Sequence, residues 1–147
     1  MEIREVKENK KQYLALLLLA DEQEDMIDRY LDAGTMYVLD DTGIKCECVV
    51  TDEGDGILEI KNLATEPAYQ GKGYARNMIE FVAARYKDHF SVLQVGTGDS
   101  PLTIPFYEKC GFIRSHVINN FFTDNYDHPI YECGVLLTDM IYLQRKI

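Results

Sequence analysis

The sequence predicts an α/β fold: a mixed central sheet with helices packed on its faces. Three observations carry that prediction. Strand-like and helical patterns interleave along the chain, a layout that buries a sheet against helices. The apolar run at 57–65 leads through a glycine-bearing loop into a helix start. No linker-like, repeated or low-complexity stretch divides the 147 residues, so one domain over 1–147 is expected.

The elements follow in order. Residues 1–6 alternate in polarity and read as a first strand. Residues 10–20 and 22–33 read as two helices; acidic residues 21–25 suit the start of the second, where carboxylates meet the positive end of the helix dipole. Gly34 is placed to stop that helix. Residues 35–40 and 45–51 read as strands around a turn at Asp41, Thr42 and Gly43. After a polar turn at 52–56 comes the strand 57–65. Met78, Phe81, Val82 and Ala83 give 77–85 a helical apolar face. Residues 91–95 form the fifth strand, 96–101 a loop, and 103–109 a short helix with Pro105 in its first turn. The stretches 112–122 and 135–143 read as the last two strands.

Composition narrows the function classes. A hydrophobic fraction of 46% with 27% charged residues supports a buried core rather than disorder. Fifteen basic against 25 acidic residues give a net charge of −10, which opposes binding to nucleic acid or an anionic membrane and favours a cationic partner. Cys46, Cys48, Cys110 and Cys133 lack zinc-ligand spacing, and His89, His116 and His128 add no defensible metal set, so no metal is expected. With no signal-peptide pattern, free thiols in a reducing cytoplasm are expected. The apolar run at 14–20 is too short to span a bilayer.

The most informative stretch is Gln70, Gly71, Lys72, Gly73, Tyr74 and Ala75, between the strand at 57–65 and the following helix. The first N–H groups of a helix have no intrahelical partner and carry the positive end of its dipole, so a pyrophosphate fits there. A side chain at Gly71 or Gly73 would hold phosphate oxygens off the backbone. The pattern lacks the Lys-Ser or Lys-Thr pair of a nucleotide-triphosphate loop and the spacing of a dinucleotide fingerprint.

This loop resembles the Gln/Arg-x-x-Gly-x-Gly/Ala loop of the GNAT superfamily of acyl-CoA-dependent N-acetyltransferases. Phe106, Tyr107, Glu108, Lys109, Cys110, Gly111 and Phe112 resemble the family's Tyr-Glu-Lys-x-Gly-Phe signature. The tail at 122–134 looks like that of a small bacterial subgroup. The resemblance implies the GNAT fold: a mostly antiparallel sheet splayed between strands 4 and 5, with helices on both faces. It implies acetyl-CoA as cosubstrate. Main-chain groups of Leu63, Ala64 and Thr65 would pair with the pantetheine arm, and Gln70, Gly71, Lys72, Gly73, Tyr74, Ala75 and Arg76 would surround the pyrophosphate. Ala75 stands where many relatives have Gly. Ser100 stands where many carry an Asn that meets the CoA arm, and Asp99 beside it would repel phosphate.

Acetyl transfer needs a deprotonated amine, a positioned thioester and a proton for the leaving thiolate. The resemblance makes Tyr107 the candidate proton donor, a role compatible with packing between Phe106 and Phe112. Glu59 is the candidate base, or an exposed strand glutamate; Glu66, or a water chain, stands beside it. The aromatic and acidic tail, with Phe122, Tyr126, Tyr131 and Glu132, suits a cationic amine through ring faces and charge, or else packs on the sheet or at a dimer contact. The expected activity is direct acetyl transfer to a primary amine of a small molecule. Alternatives are a protein or peptide amine, or a non-catalytic acyl-CoA sensor. A homodimer is an assembly that the resemblance implies.

Overall fold

A computed structural model describes residues 1–147. The chain runs β1 (Glu2–Val6), a 3-10 turn (Lys10–Tyr13), α1 (Leu14–Ala20), α2 (Glu24–Asp28), β2 (Thr35–Asp40), β3 (Ile44–Asp52) and β4 (Ile57–Thr65). A second 3-10 turn (Pro67–Tyr69) precedes α3 (Tyr74–Tyr86), β5 (Val92–Gly98), α4 (Ile104–Lys109), β6 (Ile113–Ile118), α5 (Phe121–Asn125), β7 (Tyr131–Glu132), β8 (Val135–Leu136) and β9 (Met140–Lys146). Seven strands form one sheet in the order β1-β2-β3-β4-β5-β9-β6, and β7 and β8 form a separate hairpin. Every neighbouring pair in the large sheet is antiparallel except β4 and β5.

Alternation within the strands sends side chains to two cores. Tyr37, Leu39, Cys46 and Cys48 face one side, under Met78, Ile79 and Val82 of α3 and Ile104 and Tyr107 of α4. Met36, Val38 and Val49 face the other, under Leu17 of α1 and Ile27 of α2. Helices therefore cover both faces. Each fully buried aliphatic side chain of α3 contributes about 1.5–3 kcal/mol. No helix is long and apolar enough to cross a membrane.

Several boundaries differ from the sequence expectation, each for a physical reason. The first helix opens as a 3-10 turn, and the second holds regular geometry only to Asp28. Gly34 does follow the second helical stretch, its N–H donating to Tyr30 O at 2.8 Å, but close approach explains it: a Cβ there would lie 2.8 Å from Val49 Cγ1 and 2.9 Å from Tyr30 O. The fifth strand continues to Gly98 because β9 pairs with it to that point. The strand expected over 112–122 ends at Ile118. Asn120 takes a left-handed conformation, its N–H donates to Asp139 Oδ1 at 2.8 Å, and α5 turns Phe122 onto Ile130 and Leu137. The strand expected over 135–143 slides to Met140–Lys146. Cys133 and Gly134 have φ of 51° and 76°, a tight turn that folds Val135 and Leu136 back onto Tyr131 and Glu132.

Candidate active site

The one parallel pairing creates the site. β4 and β5 pair from Ile57 and Val92 only as far as Ile60 and Val95, although β4 continues to Thr65 and β5 to Gly98. The register of β3 against β4 shifts at the same level: Val50 faces Ile60 and Val49 faces Asn62, so Lys61 is an extra residue. Such a bulge bends a strand and raises its twist. Beyond it, the edges of β4 and β5 are bare toward each other and border a cleft of about 770 Å³. That is within the range of small-molecule sites, roughly 300–1,000 Å³.

At one end of the cleft stands the glycine loop. Gly71 and Gly73 have φ of 78° and 87°, which L side chains rarely adopt, and a Cβ on either would meet nothing within 4 Å. Glycine here answers to conformation and to open space, not to a protein neighbour. Gly73 is the N-cap of α3, and the N–H groups of residues 71–76 donate to no backbone or side-chain acceptor. Gln70 braces the loop by donating from Nε2 to Thr65 O at 3.2 Å, and the Tyr74 hydroxyl donates to Asp41 Oδ2 at 2.7 Å. Unpartnered N–H groups at the start of a 13-residue helix fit an anion such as a pyrophosphate.

Tyr107 reaches the cleft from α4. It is buried against Phe106 and Phe112, with ring centroids 5.1 and 5.6 Å away, and its hydroxyl makes no hydrogen bond within the protein. Burial pushes its pKa far above the ordinary phenol value, so it keeps its proton.

The opposite end is acidic. Asp21, from the α1–α2 connection, accepts hydrogen bonds from the Tyr126 hydroxyl at 2.6 Å and the Tyr30 hydroxyl at 2.9 Å. Burial raises its pKa, and those two donors oppose the rise. Glu22, Glu132 and Asn62 line the same end, with Phe122 and Tyr131.

The cleft thus gathers Leu63, Ala64, Thr65, Gln70, Gly71, Gly73, Tyr74, Ala75, Arg76 and Tyr107 among the residues singled out in the sequence. Others are not brought in. Lys72 lies on the loop outside the lining, its Nζ 5.4 Å from the centroid of the Tyr69 ring. Ser100 is buried and spends its hydroxyl on the Leu102 N–H at 3.0 Å. Glu59 is neither exposed nor in the lining: it accepts from Gln94 Nε2 at 2.6 Å and pairs with Lys61 Nζ at 2.8 Å, within the paired part of the sheet. Glu66 is also outside the lining. Asp21 and Asn62 carried no functional reading in the sequence. The acids at 21–25 look like a helix start, and one signal was available for Asn62, an amide in an otherwise apolar strand phase.

Comparison with known proteins agrees with this geometry. The model of an acetyltransferase (GNAT) domain matches residues 32–114. The chain belongs to the GNAT acetyltransferase family. It is 31% identical over 134 residues to the uncharacterized N-acetyltransferase YvbK of Bacillus subtilis, covering 87% of this chain and 84% of that one. Among solved structures, it superposes on a GNAT family acetyltransferase from Elizabethkingia anophelis with acetyl-CoA bound, at a TM-score of 0.92 and 32% identity, covering 99% and 97% of the two chains. An IAA acetyltransferase from Bacillus cereus gives 0.91 and 31%, covering 99% of each. A Bacillus subtilis acetyltransferase in complex with CoA gives 0.89 and 28%, covering 99% and 98%.

Proposed function

We propose that this protein transfers the acetyl group of acetyl-CoA directly to a primary amine of a small molecule. One observation carries the reading: a cleft between unpaired strand ends runs from the partnerless N–H groups at 71–76, past Tyr107, to an acidic far wall. The diphosphate would meet the loop N–H groups, with Arg76 adding a point charge. The amide-bearing arm would complete the ladder along Leu63, Ala64 and Thr65, since bare strand edges seek main-chain partners.

The amine nitrogen, once neutral, attacks the thioester carbonyl. The N–C bond forms, the C–S bond breaks, and the nitrogen loses a proton. Tyr107, neutral beforehand, protonates the departing sulfur, is left as a phenolate, and is reprotonated from solvent by the equivalent of the proton that the amine sheds. The net products are the amide, free CoA thiol and one proton per ammonium consumed. Direct transfer uses no cysteine relay: Cys46, Cys48 and Cys110 are buried, with acidity lowered by burial, and Cys133, which lines the cleft from the hairpin turn, takes no part in the steps above.

The test is thermal denaturation with CoA, followed by thiol release from acetyl-CoA over a panel of amines. Ligand at about 100 times its dissociation constant adds about 2.7 kcal/mol of stability. Absence of any shift together with absence of thiol release would sink the reading.

A further inference from the structure

The far end of the cleft is walled by carboxylates with no cation among them. Asp21, Glu22 and Glu132 line it, and the basic side chains of the whole lining are Lys61 and Arg76. Lys61 is taken by Glu59 at 2.8 Å, and Arg76 belongs to the first turn of α3 at the loop end. Asp21 is oriented by two neutral hydroxyls rather than neutralised; Arg29 acts on it only through space while its guanidinium donates to Asn125 Oδ1 at 3.4 Å. Glu22 has only the His128 ring nearby, at 3.9 Å. Burial, countered by the Ser100 hydroxyl, raises the pKa of Glu132, and the charge of Glu22 raises it further. Glu132 thus feels the charge of Glu22, and a cation near the pair would relieve that.

A separate observation points to a guest that donates hydrogen bonds. Asn62 lines the cleft, is 2% exposed, and its Oδ1 accepts no hydrogen bond. Its Nδ2 donates to Leu17 O at 3.0 Å and to the Tyr30 hydroxyl oxygen at 3.1 Å, which fixes the amide and leaves Oδ1 as the free atom. A buried acceptor without a donor is unfavourable, and its presence on a cleft wall fits a ligand N–H. Asn62 lies two residues beyond Ile60, where the strands part. Tyr126 and Tyr131 share this lining, and aromatic rings attract an ammonium.

A single reacting amine does not account for this wall, because that nitrogen must shed its charge to attack. Resting on the acetyl-transfer reading above, we infer that the acceptor is a small aliphatic diamine. One amine gives an N–H to Asn62 Oδ1 and faces the thioester; the other stays protonated and is held by Asp21, Glu22 and Glu132. An acceptor with an anionic tail is excluded by the same wall.

The test uses the full chain with acetyl-CoA and three acceptors that share one carbon skeleton: putrescine, n-butylamine and γ-aminobutyrate. Thiol release should give putrescine a kcat/KM at least about tenfold above n-butylamine, the ratio that one favourable charge contact confers, with γ-aminobutyrate the poorest. Asp21→Asn and Glu132→Gln, which keep shape, should each shrink that preference and leave the KM for acetyl-CoA unchanged. Equal use of putrescine and n-butylamine, or a preference that survives both substitutions, overturns the diamine while leaving acetyl transfer intact. Stabilisation by CoA with no turnover of any of the three overturns it too, whereas loss of CoA binding altogether would strike the acetyl-transfer reading itself.

Discussion

Glu47 is fully buried on β3, and neither of its carboxyl oxygens has a hydrogen-bond partner. Burial alone pushes its pKa well above the ordinary value of 4.5. The folded protein therefore holds a proton that the unfolded chain releases. Stability from that proton is complete below about pH 4.5 and is lost as pH rises toward the folded pKa. Above the unfolded pKa the loss runs at up to about 1.4 kcal/mol per pH unit for as long as the folded group stays protonated, and it ends once pH passes the folded pKa. Glu47→Gln keeps the shape and does not titrate. Its amide is equally unpartnered, a penalty of about 1–3 kcal/mol that does not change with pH. Urea unfolding of both proteins at several pH values between 5 and 7 separates the two effects. The variant should gain on the wild type as pH rises, by up to about 1.4 kcal/mol per unit. Parallel stability curves would refute the reasoning, because they would mean that Glu47 is ionised in the fold and balanced by a cation.

Two further outcomes follow from the cleft. Tyr107→Phe keeps the ring contacts with Phe106 and Phe112 and removes the proton donor, so kcat should fall by about 10²-fold with KM little changed, measured under conditions where chemistry limits turnover; because burial raises the pKa of this phenol, the wild type should show no alkaline loss of kcat from Tyr107 near the ordinary value of 10. Gly73→Ala places a Cβ at φ 87°, where strain costs about 1–2 kcal/mol, and should weaken stabilisation by CoA in a thermal-shift titration more than it lowers the melting point without ligand.

Much of this architecture is legible in local sequence, and the exceptions share a cause. The strand at 57–65 and the loop at 70–75 are read correctly because alternation, glycine and helix onset act within a few residues of each other. The second helix is overread, since acidic residues favour its start but say nothing of how far packing lets it run. The tail is misread where tertiary contacts decide. Val135 and Leu136 have strand character, but the turn at Cys133 and Gly134 gives them to a hairpin, and the last strand starts later to match β5. The site divides the same way. Its glycine-loop end is a contiguous motif. Its acidic end joins Asp21 to Tyr126 across 105 positions, a meeting that no local pattern announces. Glu59 illustrates the converse: its position near the motif drew attention, while its partner Gln94 comes from another strand.

The bulge at Lys61 also makes the stability of the fold depend on what fills the cleft. Past Ile60 and Val95 the facing edges of β4 and β5 are unpaired, which leaves main-chain groups that a ligand would bridge. A ligand that stitches the two halves stabilises the native form by mass action. The form without ligand should therefore open more often along this seam, and proteolysis of the purified chain with and without CoA reads the difference.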